Sequence, residues 1–113
     1  MSDDTPVSAD GSNSPATEPD AQVLADLFAV IEDRKATRPE GSYTASLFDH
    51  EKGENAVLEK IGEESTEVVL AAKDDDSDEL AAESADLVYH LLVLLSMKEM
   101  DLTDLLSALE SRR

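Results

Sequence analysis

The chain has 113 residues, the size of one domain, and carries 27 Asp and Glu against 9 Lys and Arg, a formal net charge of −18. So acidic a chain repels polyanions, which excludes a basic nucleic-acid groove and an anionic membrane as partners. The absence of cysteine excludes disulfides, iron–sulfur clusters, zinc–thiolate sites and thiol nucleophiles. No apolar run reaches the ~18 residues of a membrane span, and the N-terminus lacks a basic start with an apolar stretch behind it. A cytoplasmic protein is expected.

Residues 1–19 hold three of the four prolines, four acids and no base. They bury too little apolar surface to offset their ordering entropy, so a disordered acidic tail is expected there. Residues 20–113 are expected to form the folded domain and still contain 23 of the 27 acids.

The pattern turns helical at Ala21. Leu24, Leu27, Phe28 and Ile31 recur at helical spacing, Arg34 and Lys35 suit a helix C-terminus, and Pro39 and Gly41 end the segment. Residues 42–53 (SYTASLFDHEKG) read as a loop with at most one short turn, rich in Ser, Thr, Tyr and His. A second helix is expected over Glu54–Lys73, roughly 30 Å long. After the polar break at Asp74, Asp75 and Asp76, Asp76 or Ser77 caps a third helix running to about Lys98. Asp101 and Asp104 flank a short fourth helix with Leu102, Leu105, Leu106 and Leu109 on one stripe. No strand pattern competes, and an all-α bundle of about four helices is expected. The third helix is apolar on nearly every side through LVYHLLVLL and must be covered all round. Three other helices are few for that, so a second copy is expected to complete the bundle as a homodimer or larger homo-oligomer.

In the second helix Val57, Ile61, Val68 and Ala71 define the inward stripe, and Glu64 falls inside it, with Glu67 at its edge and Glu63 beyond. In the third, Glu79, Glu83, Asp86 and His90 share one face. Antiparallel packing of the two brings Glu64 and Glu67 opposite Glu83 and Asp86. Two unit charges ~4 Å apart repel by about 4 kcal/mol at an effective dielectric of about 20. Converging carboxylates therefore need protons or a cation, and oxygen-only ligands select a hard ion, Mg²⁺ or Mn²⁺. Lys60, four residues before Glu64, offsets one charge. Glu59, Glu63 and Glu79 read first as solvated positions, His90 as a satisfied half-buried histidine, and Tyr89 as core or interface.

KIGEESTEVVLAAK (Lys60–Lys73) followed by ELAAESADLVYHLLVLL (Glu79–Leu95) resembles the phosphoribosyl-ATP pyrophosphatases of histidine biosynthesis. These belong with the all-α, MazG-like nucleoside triphosphate pyrophosphatases, whose Glu-Glu-x-x-Glu and Glu-x-x-Asp pattern corresponds here to Glu63, Glu64, Glu67, Glu83 and Asp86. The resemblance extends upstream to SYTASLF (Ser42–Phe48). It implies hydrolysis of phosphoribosyl-ATP to phosphoribosyl-AMP and pyrophosphate. Glu64, Glu67, Glu83 and Asp86 would hold Mg²⁺ (or Mn²⁺), and Glu63 or Glu64 would act as general base. Ser42, Tyr43, Thr44, Lys52 and Lys60 are the expected substrate contacts. Without the cysteines of a fused zinc cyclohydrolase, one reaction step is expected. Two alternatives stay open: a housecleaning pyrophosphatase acting on other nucleoside triphosphates, and a non-enzymatic acidic module that binds cations or a partner. The acid-rich, lysine-poor composition also points to a salt-rich cytoplasm.

Overall fold

Five helices account for the architecture of residues 18–113, the part that the computed structural model describes. They are α1 (Gln22–Thr37), α2 (Tyr43–Phe48), α3 (Glu54–Lys73), α4 (Ser77–Met97) and α5 (Leu102–Glu110), and no strand occurs among the described residues. The chain is all-α, as its periodicities require. The expected tail lies outside the described residues except for Glu18 and Pro19, both exposed.

The fifth element is α2, in a segment read as loop. Gly41 turns the chain at φ +83°, Ser42 takes an extended conformation, and its Oγ accepts a hydrogen bond from the Ala45 N–H at 3.0 Å. A serine cap thus starts a helix too short to have a readable period. Thr44, Ala45 and Leu47 are buried by it.

α3 and α4 are antiparallel partners. Glu64 meets His90 at 2.8 Å and Glu54 meets Lys98 at 2.9 Å, two pairs nearly symmetric about the short turn at Asp74–Asp76. Asp76 caps α4, its Oδ1 accepting from the Glu79 N–H at 3.0 Å. Val57, Tyr89, Leu92 and Val93 from this pair join Phe28 and Ile31 of α1 and Leu47 of α2 in one apolar core. α1 is also fastened to α4 by polar groups. Ser96 is fully buried, and its Oγ donates to Glu32 Oε2 at 2.7 Å while its carbonyl accepts from Lys35 Nζ at 2.8 Å.

Among the described residues the cover over α4 is incomplete. Val88 and Leu91 remain 37% and 39% exposed, and α5 contributes no buried residue, with Leu106 and Leu109 open to solvent. By length and composition alone α4 could cross a membrane, which the sequence reading did not anticipate. Its first half, however, carries Asp78, Glu79, Glu83 and Asp86, and its second half supplies Tyr89, Leu92 and Val93 to the core.

Candidate active site

The inward stripe of α3 runs through Val57, Ile61, Val68 and Ala71, of which Val57 and Ala71 are buried and the other two half-buried. Glu64 lies on that stripe, and its side chain keeps 13% of its exposure. Burying an ionised carboxylate requires a partner. Lys60 is not that partner, since its Nζ stands 3.9 Å from Glu63 Oε1 at the solvent edge. The partner is His90, whose Nδ1 lies 2.8 Å from Glu64 Oε1 and 3.1 Å from the Asp86 carbonyl oxygen. Both neighbours are acceptors, so Nδ1 carries the hydrogen. On the other side of the ring Nε2 lies 2.9 Å from the Tyr43 hydroxyl. His90 is buried, as expected of a satisfied histidine, and it joins α2, α3 and α4 at one point.

Glu83 and Asp86 are half-buried on α4, while Glu63 and Glu67 are exposed on α3. The field that they create registers on two neighbours. Glu83 titrates above the usual carboxylate range: a hydrogen bond with the Glu79 side chain is the largest cause, then partial desolvation, then the charges of Glu79, Asp86 and Glu67. The Tyr43 hydroxyl is likewise raised, first by burial and then by Glu64, Asp86 and Glu63. The carboxylates of α3 and α4 therefore share one electrostatic site. They are not drawn to coordination distance, since no three acidic or histidine side chains among the described residues stand close enough to hold a metal ion. An oxygen-only donor set with this much uncompensated charge fits a hard divalent cation.

Beside the carboxylates is a cleft of about 200 Å³ between α2 and the start of α3. Tyr43, Ser46, His50, Lys52, Glu59 and Lys60 line it. Lys52 Nζ is held by both Glu59 oxygens at 3.1 and 3.2 Å. Of the expected substrate contacts, Tyr43, Lys52 and Lys60 thus line one cavity. Ser42 and Thr44 do not, because they do structural work: Ser42 caps α2, and Thr44 is fully buried with its hydroxyl bonded to that of Tyr89. Ser42→Ala is accordingly expected to cost about 1 kcal/mol of stability, read from urea unfolding, through loss of the cap. Ser46 and His50 were missed; their only signal was membership of a loop rich in reactive side chains.

The fold and the site together define an all-α bundle in which carboxylates of two facing helices adjoin a lysine-lined cleft. Residues 24–113 match the family model described as phosphoribosyl-ATP pyrophosphohydrolase, and the chain belongs to that family. It is 76% identical over 91 residues to the phosphoribosyl-ATP pyrophosphatase of Haloarcula marismortui, covering 80% of this chain and 93% of the relative. The protein of that name from Natronomonas pharaonis is 71% identical over 92 residues, covering 81% and 91%. That from Methanococcoides burtonii is 47% identical over 97 residues, covering 86% and 98%.

Proposed function

We propose that the chain hydrolyses phosphoribosyl-ATP to phosphoribosyl-AMP and pyrophosphate, the second step of histidine biosynthesis, in a Mg²⁺-dependent reaction that Mn²⁺ also supports. The observation that carries this reading is the family match, which spans the α3–α4 carboxylates and the lysine-lined cleft together. Glu64, Glu67, Glu83 and Asp86 would hold the cation. When bound, it neutralises triphosphate oxygens and the charge that develops on departing pyrophosphate. Without such neutralisation a chain of net charge −18 would repel so anionic a substrate.

The residues divide the remaining work. Lys52 and Lys60 meet phosphate oxygens in the cleft, and the Glu59 carboxylate keeps the Lys52 ammonium in place for that contact. Tyr43 bounds the cleft on the carboxylate side. Of the two candidate bases, Glu63 and Glu64, the proton of the attacking water goes to Glu63, which is exposed enough to exchange it with solvent, because Glu64 is engaged by His90 on one oxygen and would meet the cation with the other.

A second copy of the chain is the partner best suited to the open apolar surface. Val69 and Leu70 on α3, Val88 and Leu91 on α4, and Leu106 and Leu109 on α5 are all at least one-third exposed. A homodimer in the cytoplasm is the proposed working form.

Incubation with phosphoribosyl-ATP and Mg²⁺ is expected to release one pyrophosphate per phosphoribosyl-AMP, and EDTA should abolish it. Full turnover in EDTA would contradict the metal requirement. Faster hydrolysis of other nucleoside triphosphates in a substrate panel would favour a housecleaning pyrophosphatase, and no release from any of them a binding module.

A further inference from the structure

His90 has no assigned part in the reaction, yet three elements meet at its imidazole. The ring is 4% exposed. It packs against Tyr43 and Tyr89, with ring centroids 5.9 and 4.9 Å away at interplanar angles of 84° and 72°, and the two tyrosine rings are themselves stacked at 6.1 Å. A buried ring in edge-to-face contact with two stacked aromatic neighbours does not rotate freely. The Asp86 carbonyl, one turn earlier on α4, takes part of the Nδ1–H and fixes the ring against its own helix. The imidazole is therefore a rigid part, aimed at Glu64 through one nitrogen and at Tyr43 through the other.

Each contact has a consequence. Glu64 stands among Glu63, Glu67 and Asp86 and, left to itself, would swing from like charge toward water. A buried donor on Oε1 prevents that and leaves Oε2 to meet a cation. Tyr43, in turn, is a wall of the lysine cleft, and the contact with Nε2 sets the position of its hydroxyl. We propose that His90 is a positioning residue with two separable duties: through Nδ1 it orients Glu64 for the divalent cation, and through Nε2 it holds Tyr43 against the substrate cleft. The first duty rests on the metal reading above; the second does not.

The two nitrogens can be tested apart, because an asparagine amide nitrogen occupies the place of Nδ1 and a glutamine amide that of Nε2. The full-length His90→Asn, His90→Gln and Tyr43→Phe variants would be titrated with Mn²⁺ by calorimetry without nucleotide, and kcat and KM then measured. His90→Gln is expected to lose about 10–100-fold in Mn²⁺ affinity, the usual effect of removing a partner that orients a ligand. His90→Asn should keep near wild-type Mn²⁺ affinity but raise KM. Tyr43→Phe, which removes one oxygen, should leave Mn²⁺ affinity unchanged and raise KM. Equal Mn²⁺ affinity in His90→Asn and His90→Gln would overturn the first duty, and an unchanged KM in Tyr43→Phe the second. Should both His90 variants fail to fold, Tyr43→Phe alone still decides the second duty. In that case Mn²⁺ titration of Glu64→Gln decides the first, since undiminished affinity there leaves His90 nothing to orient. A wild-type protein that takes up no Mn²⁺ would instead remove the metal reading itself, and with it the first duty.

Discussion

Glu64→Gln, Glu67→Gln, Glu83→Gln and Asp86→Asn will each lower turnover by more than about 100-fold, exceeding the 10–100-fold typical of groups that merely support a ligand. Glu59→Gln and Glu79→Gln will change it a few-fold at most. Glu59 serves the cleft through Lys52, and an amide at position 79 can still hydrogen-bond Glu83. The same series has a stability signature. The Glu83 carboxyl is raised in the fold above its ordinary value, so its protonated form favours folding below the unfolded pKa. That contribution is lost as pH rises through the folded value. At neutral pH ionised Glu83 therefore opposes folding, and in EDTA Glu83→Gln should melt above wild type. The difference should close by about pH 4, where an unperturbed glutamate is itself largely protonated. Thermal unfolding at the two pH values, beside steady-state kinetics, measures both effects. A Glu79→Gln variant as inactive as Asp86→Asn would break the division between ligands and bystanders.

The second large effect is salt. At least seven of the nine basic residues stand in ion pairs with carboxylates, among them Arg38–Asp49, Lys52–Glu59 and Lys98–Glu54. The excess of acids still leaves −18, much of it on exposed positions such as Asp74, Asp75 and Asp76. The Debye length is about 30 Å at 0.01 M salt and about 3 Å at 1 M, so at low salt the surface repels itself across the whole domain and at high salt it does not. The relative from the halophile Haloarcula marismortui fits this composition. The melting temperature and the fraction of the proposed dimer should therefore rise together between about 0.05 M and 3 M KCl, the range over which screening becomes complete. Residues 1–19 hold four acids, so a chain lacking them should respond almost as strongly. Unfolding and sedimentation that stay flat across that range would contradict a salt-adapted surface.

The long helices were readable because their apolar residues repeat for several turns and their ends carry chemical signals, Asp76 for α4 and Pro39 for the exit from α1. The inward setting of Glu64 was readable too, since it interrupts the stripe of Val57, Ile61 and Val68. α2 was not, because six residues give no period and its start rests on one serine hydroxyl. Nor was the Tyr43–His90 contact, which joins positions 47 residues apart through packing that no local pattern encodes. Lys60 illustrates the same limit. Helical spacing allowed it to meet either Glu63 or Glu64, and burial of Glu64 against His90 decided for Glu63.

Anomalous diffraction from crystals grown with Mn²⁺ tests the metal reading most directly. The peak is expected between α3 and α4, with oxygens of Glu64, Glu67, Glu83 and Asp86 as ligands. A peak elsewhere, for example on Asp74, Asp75 and Asp76, with none between the two helices, would contradict it.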